Sequence, residues 1–332
     1  MLKHGICTLE ELDRSGLGRV AQTRRFFHRL CDIALYEALA RRGRSGDEAL
    51  QAAVLNLFPI TNGAYKRTSR QRFGAFDREV LSILERRFPS DARLSVHDVA
   101  VSDGRTACDF YRVLSAHFGG LDFLASDLCL RVTRLSFPEA RLSVVVDEND
   151  VPLQLVRPPF VLNLARTESW LYPVNHLLRS FWRARAMSVL DAARAGDEAL
   201  VRDHILLLCS EARKYLDSCA NFQIKNYDIF SPPVDRYHVV RAMNVLNPSY
   251  FSPAQLTHAI ANLRDALHEG GVLVLGSNGE AGSTVHGGAY QRRDNQLVEI
   301  WSCGCGPPFA AMLSRDRRPS ADQSHLADII VR

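Results

Sequence analysis

The chain predicts an α/β protein: a doubly wound, mostly parallel sheet with an N-terminal helical domain and an inserted hairpin-plus-helices subdomain. Three observations carry this reading. From residue 91 onward, short apolar runs rich in β-branched residues alternate with segments of helical period, the pattern of parallel strands joined by crossover helices. Residues 1–90 show helical period alone. About a hundred residues separate the second core run from the third, far more than an ordinary connection needs. The predicted layout is therefore a helical domain at 1–90, an α/β core at 91–137 and 221–303, an insertion at 138–220 and a C-terminal extension at 304–332.

In the helical domain, Phe26, Phe27, Leu30, Ile33, Ala34 and Ala38 recur at helical spacing. A break at Gly43 to Asp47 precedes a second helix over 49–57, and a third over 73–88 stops at Pro89. The core opens with a strand at 94–101, a helix at 106–118 ended by Gly119-Gly120, and a strand at 121–126. In the insertion, 142–146 and 151–156 flank Asp147-Glu148-Asn149-Asp150, a hairpin with a four-residue loop. Val174, Leu177, Leu178, Phe181, Trp182, Ala186, Val189 and Leu190 mark an amphipathic helix, and another is predicted from Glu198 to Leu216. Strands at 222–227 and 237–242, a helix at 253–267 and a strand at 272–276 complete the alternation; beyond Pro307 a polar, mobile tail is expected.

Composition excludes several classes. Apolar residues make up 46% and charged residues 23%, an ordinary globular balance. No apolar run reaches the roughly 18 residues of a membrane span, and Met1 to Cys7 offers no secretory h-region. The eight cysteines lack C-x-x-C spacing, and only Gly304 separates Cys303 from Cys305. That suits neither a zinc ribbon nor a redox motif, so no metal site and a reduced, cytoplasmic setting are expected. Two basic clusters stand out, Arg19, Arg24, Arg25, Arg29 and Lys66, Arg67, Arg70, Arg72. They suggest either a nucleic-acid or acidic-partner surface, or the solvated faces of helices. The second reading is preferred, because no aromatic reading surface accompanies them, and no specific nucleic-acid binding is expected.

The chemistry-bearing signal is the stretch from Val96 through Asp98, Ala100, Ser102 and Gly104. A strand runs into a turn with small residues at alternate positions, and a helix begins. Small residues let a ligand approach the backbone, and a helix N-terminus offers unpaired N–H groups to a phosphate or a carboxylate. An ordinary structural turn is the other reading. A dinucleotide fingerprint would place glycine at 100, 102 and 105, and only Gly104 is glycine here. About twenty residues on, Asp127 closes the second strand, where a carboxylate accepts both ribose hydroxyls of an adenosine cofactor; a helix N-cap is the alternative. Asp228 ends the third strand, within reach of an adenine amino group, while Ile229 packs on the ring. The fourth strand ends in Met243-Asn244-Val245-Leu246.

These stretches resemble the chemotaxis-receptor carboxyl methyltransferases, the glutamate O-methyltransferase family. Ala100-Val101-Ser102-Asp103-Gly104 is similar to its A-x-S-x-G turn, Ala125-Ser126-Asp127-Leu128 to its A-S-D-[IL], and Met243 to Leu246 to its R-N-V-[ML]. Gly270 to Ser277 resembles its last core strand and Ala289 to Ile300 its closing hairpin, so order and spacing agree over about two-thirds of the chain. The resemblance implies a Rossmann-like methyltransferase sheet, bacterial in type, with S-adenosylmethionine as cofactor and S-adenosylhomocysteine as product. It implies Asp127 and Leu128 beside the ribose, Asp228 and Ile229 at the adenine, and Asn244 near the methionine moiety. Thr61 to Arg67 is similar to the family's N-terminal cofactor segment, with Arg67 in the matching place. Arg105 and Thr106 stand where the family has two glutamates, and Met243 where it has arginine. Thr106 remains a candidate cofactor contact, while these departures speak against receptor glutamate as the substrate.

Methyl transfer from a sulfonium is an in-line displacement, so alignment and exclusion of water do most of the work. A hydroxyl or amine acceptor wants a general base. His286, beyond the fifth strand, is the preferred candidate over His176 and His238, with Tyr250 orienting. The insertion is expected to shape the acceptor site through Arg157, Arg166, Trp170 and Tyr172, its arginines pairing with an acceptor carboxylate. The expected acceptor is a small molecule or a peptide group, and the expected state a monomer or homodimer. Alternatives are an enzyme modifying an acidic protein partner, a catalytically silent cofactor-binding regulator, and a nicotinamide oxidoreductase, the last disfavoured by Ala100 and Ser102.

Overall fold

In a computed structural model of the chain, residues 4–17, 30–61, 63, 65–66, 68–164, 173–278, 284–307 and 309 are described. Four helices open it: α1 (Leu9–Arg14), α2 (Ala34–Arg42), α3 (Asp47–Asn56) and α4 (Gly74–Glu85). A Thr8–Glu11 capping box starts α1, and Gly43 ends α2 at φ 63°, a left-handed cap that glycine adopts without a Cβ clash. Phe26 and Phe27 of the predicted first helix lie outside the described residues.

β1 (Arg93–Val99), α5 (Arg105–Ser115) and β2 (Gly120–Asp127) follow as the sequence predicts. The insertion then builds a sheet of its own. β3 (Arg131–Phe137), β4 (Leu142–Val146), β5 (Pro152–Arg157) and β6 (Phe160–Asn163) form an antiparallel meander; α6 (Pro173–Arg194) and β7 (Val201–Leu206) complete it in the order β6-β5-β4-β3-β7. The expected hairpin is β4–β5. Two expectations are corrected. β3 pairs with β4 and β7, so the inserted sheet begins at Arg131 rather than at residue 138. Residues 201–206 are a strand where a helix was predicted. Among the described residues β7 pairs only with β3, and its first four residues are exposed. Edge strands carry charged residues such as Arg202 and Asp203, which hides the period-two signal.

The chain re-enters the core through α7 (Ser210–Ser218), β8 (Phe222–Asn226), β9 (Tyr237–Met243), α8 (Pro253–Asp265), β10 (Leu267–Asn278), β11 (Val285–Arg293) and β12 (Gln296–Cys303). The main sheet has the order β12-β11-β10-β9-β1-β2-β8. The strands from β10 to β8 are parallel, and the closing hairpin is antiparallel. From β1 the chain moves outward to β2 and β8, then returns to β9 on the other side. The winding reverses between β1 and β9, and ligands of open α/β sheets bind at the carboxyl ends of such a switch point.

Alternation along the strands divides the core. Leu94 and Val96 pack with Phe76, Val80 and Leu84 of α4 and Phe110 of α5; Val240, Leu273 and Leu275 pack with Leu256, Ile260 and Leu263 of α8. The inserted sheet is also covered twice: Val144 and Leu155 meet α6, whereas Val145 and Leu153 meet Tyr36 and Leu39 of α2 and Val54 and Leu55 of α3. The described helices of the first ninety residues therefore serve two cores. α1 to α3 belong with the insertion, and α4 belongs with the main sheet. Of the expected mobile tail, the described Phe309 is buried against α8; the rest lies outside the described residues.

A buried ion triad stitches α4 to the sheet. Arg241 of β9 lies opposite Asp98 of β1 and donates to Asp98 at 2.9 and 3.0 Å and to Asp77 of α4 at 2.9 and 3.2 Å. All three are at most 1% exposed, and the guanidinium lies over the Phe110 ring. Removing Arg241 would strand two buried carboxylates, a loss of about 3–5 kcal/mol. Burial pushes the Asp77 carboxyl from 3.8 up to about 6 despite Arg241, and Asp98 adds to the rise. A carboxyl harder to ionise when folded stabilises the fold while protonated. This contribution is complete below 3.8 and is lost as the pH rises through about 6. Denaturant midpoints measured between those pH values should fall with rising pH in the parent and stay flatter in Asp77→Asn; parallel profiles would refute the assignment.

Candidate functional site

The loop after β1 wraps around the end of β2. Ala100, Ser102 and Gly104 all have left-handed φ, at 60°, 62° and 82°. Such alternation turns backbone N–H groups toward an anion. The anion here is the chain's own Asp127: Oδ2 accepts Ser102 N–H at 2.7 Å, and Oδ1 accepts Cys129 N–H at 3.1 Å. Lys66 Nζ donates to the same Oδ1 at 2.6 Å and to the Ser102 carbonyl at 3.1 Å, and its side chain is 3% exposed. Ser102 Oγ is buried without a hydrogen-bond partner among the described residues.

Around Lys66 the chain forms a strap over the switch point. Thr68 Oγ1 donates to Asp103 at 2.9 Å, and Asp103 also accepts the Tyr36 hydroxyl at 3.3 Å and pairs with Arg105 at 3.2 Å. Gln71 N–H donates to Asp109 at 2.7 Å, Arg70 pairs with Glu48 and Glu211, and Arg72 Nε donates to Asn278 at 2.9 Å. The second basic cluster is thus an anchored strap rather than a solvated helix face, which corrects the expectation. Arg67 lies outside the described residues.

The other candidates divide. Asn244, at φ 59°, exchanges amide bonds with Asn278 across the ends of β9 and β10 and stays at the crevice. Asp228 closes its own turn on Phe230 N–H at 3.0 Å, and Ile229 is buried against α8. Leu128 is half exposed beside Asp127, and Thr106 is half-buried in the first turn of α5. Asp98 is withdrawn from the crevice, because alternation turns it to the α4 face, where Arg241 holds both its oxygens. His286 stands opposite Ser277 near the carboxyl end of β10, its Nδ1 taken by Cys305 N–H at 3.0 Å. Tyr250 is half exposed between β9 and α8. His238 bonds Ser95 within the sheet.

The insertion meets the crevice through its acidic turn: Asp147 accepts the Thr61 hydroxyl, and Glu148 accepts the Asn226 amide at the end of β8. Arg157 sits at the other end of β5, five residues past Pro152, roughly 17 Å away at about 3.3 Å per residue. There it lines a 220 Å³ cavity with Leu155, Phe160, Leu162 and Trp182. The expectation that Arg157 lines an acceptor site at the crevice is not met, since the hairpin presents its turn to the sheet and its open end away. Arg166, Trp170 and Tyr172 lie outside the described residues, as does the side chain of His176. Among the described residues no helix is long and apolar enough to cross a membrane, and no group of His, Cys, Asp or Glu could hold a metal ion.

Sequence reasoning missed Lys66, Thr68 and Asp103, because the cluster reads locally as surface charge. Their signal was Lys66 itself, one of four lysines in the chain, sitting two residues before a threonine in the segment likened to a cofactor-binding stretch.

No protein-family model matches the chain, and no curated protein does. Among solved structures it is similar to the CMeT domain of the citrinin polyketide synthase, at 14% identity over 62% of this chain and 35% of that one, TM-score 0.31. It is similar to the magnesium protoporphyrin IX methyltransferase of Synechocystis PCC 6803 with bound SAM, at 12% identity over 67% and 64%, TM-score 0.30. It is also similar to the N-methyltransferase NodS of Bradyrhizobium japonicum WM9 in complex with S-adenosyl-L-homocysteine, at 13% identity over 63% of each chain, TM-score 0.29. The chain spans less than two thirds of the length of each. Superpositions at this level decide neither fold nor activity; the strand order decides the first.

Gly104 owes its identity to packing as well as to φ. A Cβ there would stand 2.9 Å from the Ala212 Cβ of α7 and 3.5 Å from Ile224. Gly104→Ala should cost about 2–4 kcal/mol of stability through left-handed strain and overpacking. Urea titration would measure it, and an unchanged midpoint would contradict this packing account.

Proposed function

We propose that the chain is an S-adenosylmethionine-dependent methyltransferase acting on a small-molecule or peptide acceptor. One observation carries the reading most: an acidic residue ends β2 next to a left-handed, small-residue turn at the β1/β9 switch point, the place where doubly wound sheets take an adenosine cofactor. The likeness to the chemotaxis-receptor methyltransferase motifs supports the same assignment.

The residues fit the cofactor. Asp127 can accept the two ribose hydroxyls, and the orphaned Ser102 Oγ is a buried hydroxyl in want of a partner. Asn244, held by Asn278 at the ends of β9 and β10, would meet the amino-acid end of the cofactor. When bound, S-adenosylmethionine supplies an electrophilic methyl group that an acceptor takes by in-line displacement. Lys66, Thr68 and Arg72 tie the strap across the switch point, where it can shield a bound cofactor from water. His286 Nδ1 accepts the Cys305 N–H, which leaves Nε2 as the ring's N–H donor toward an acceptor, and Tyr250 has the exposure to orient one.

The acceptor reaches the crevice beside the Asp147–Asp150 turn. A carboxylate acceptor, and with it O-methylation, would rest on Arg166 alone of the two arginines, given the position of Arg157. A cofactor-binding regulator that transfers no methyl is the second reading, favoured by Arg105 and Thr106 where the resembled family has two glutamates and Met243 where it has arginine. Calorimetric titration with S-adenosylhomocysteine tests the proposal. The parent should bind, and in a Lys66→Met background, where no ammonium competes for the carboxylate, Asp127→Asn should lose about 1.5–3 kcal/mol of binding by forfeiting a charged acceptor. Equal affinity with and without a folded Asp127→Asn in that background would remove Asp127 from the ribose site.

A further inference from the structure

We propose that Lys66 is a clasp on the cofactor crevice: its ammonium holds the Asp127 carboxylate closed, and the cofactor binds only by displacing it. The inference rests on the cofactor reading above and goes beyond it, because it assigns the resting state of the site and the residue that governs affinity.

The geometry leaves little room for sharing. A carboxylate offers about four acceptor positions. Ser102 N–H, Cys129 N–H and Lys66 Nζ take three of those on Asp127. Asp127 is 7% exposed, and a ribose diol brings two donors to the one position left. Both backbone donors belong to the loops that shape the crevice, so they stay. Lys66 is the partner that can leave, since its ammonium ends a long, rotatable side chain and its other bond is to the Ser102 carbonyl.

The neighbouring anchors make this a local movement. Thr68 on Asp103 and Arg72 on Asn278 fasten the strap on both sides of the switch point without Lys66. Rotation of one side chain opens the carboxylate while the backbone stays in place. Such a clasp lowers apparent affinity by the fraction of molecules in which it is open.

Titrating the parent chain, Lys66→Ala and Lys66→Met with S-adenosylhomocysteine by calorimetry tests the clasp, with thermal melts run on each chain without ligand. Both variants should bind about tenfold tighter or more, because the closed state no longer competes, and both should melt lower than the parent. Lys66→Met keeps the stem and decides the matter should Lys66→Ala fail to fold. Parent and variants binding equally, or the variants binding more weakly, would overturn the clasp while leaving the cofactor reading standing. No heat from any of the three chains would overturn the cofactor reading, and the clasp with it.

Discussion

Three parts of the chain converge on one buried carboxylate. The loop after β1 gives Asp127 the Ser102 N–H, the loop after β2 gives it the Cys129 N–H, and the N-terminal strap gives it the Lys66 ammonium. A buried carboxylate without partners is costly, and the same carboxylate with charge-assisted bonds is not. This constraint explains features that look unrelated. Ala100 and Ser102 adopt left-handed φ although neither is glycine, strain that the bond to Asp127 helps to offset. The strap crosses the switch point because its lysine must reach the end of β2.

A second buried charge cluster sits beneath. Arg241, Asp77 and Asp98 lie in the layer between α4 and the sheet. They fix the helix that follows the strap, so strap and strand ends share one frame. His97, on the opposite face of β1, bonds Ser126 at 2.7 Å and is driven down to about 4 by burial. It is therefore a neutral side chain holding β1 to β2. The crevice is built on strand ends whose relative positions are locked by polar contacts within the sheet as well as by apolar packing.

The core strands were legible because parallel strands buried on both faces read as apolar runs, and β1, β2, β9 and β10 do so. The β4–β5 hairpin was legible from its polar four-residue turn. What escaped the sequence was pairing between distant segments. Val145 and Leu153 face α2 and α3, and no local pattern tells which domain covers a strand. β7 escaped because an edge strand carries the polar residues of a helix face. At the site, Asp127 and the turn could be read from local type and spacing. Asp98 was misassigned because its partner Arg241 lies on β9, 143 residues away, and Lys66 was missed because its partner Asp127 lies 61 residues away.

The most direct measurement is a crystal structure of the chain grown with S-adenosylhomocysteine. The account predicts the ribose hydroxyls on Asp127, with Lys66 Nζ moved out of hydrogen-bond distance from the 2.6 Å it keeps now. S-adenosylhomocysteine bound elsewhere, or bound at the crevice with the Lys66–Asp127 contact intact, would contradict it.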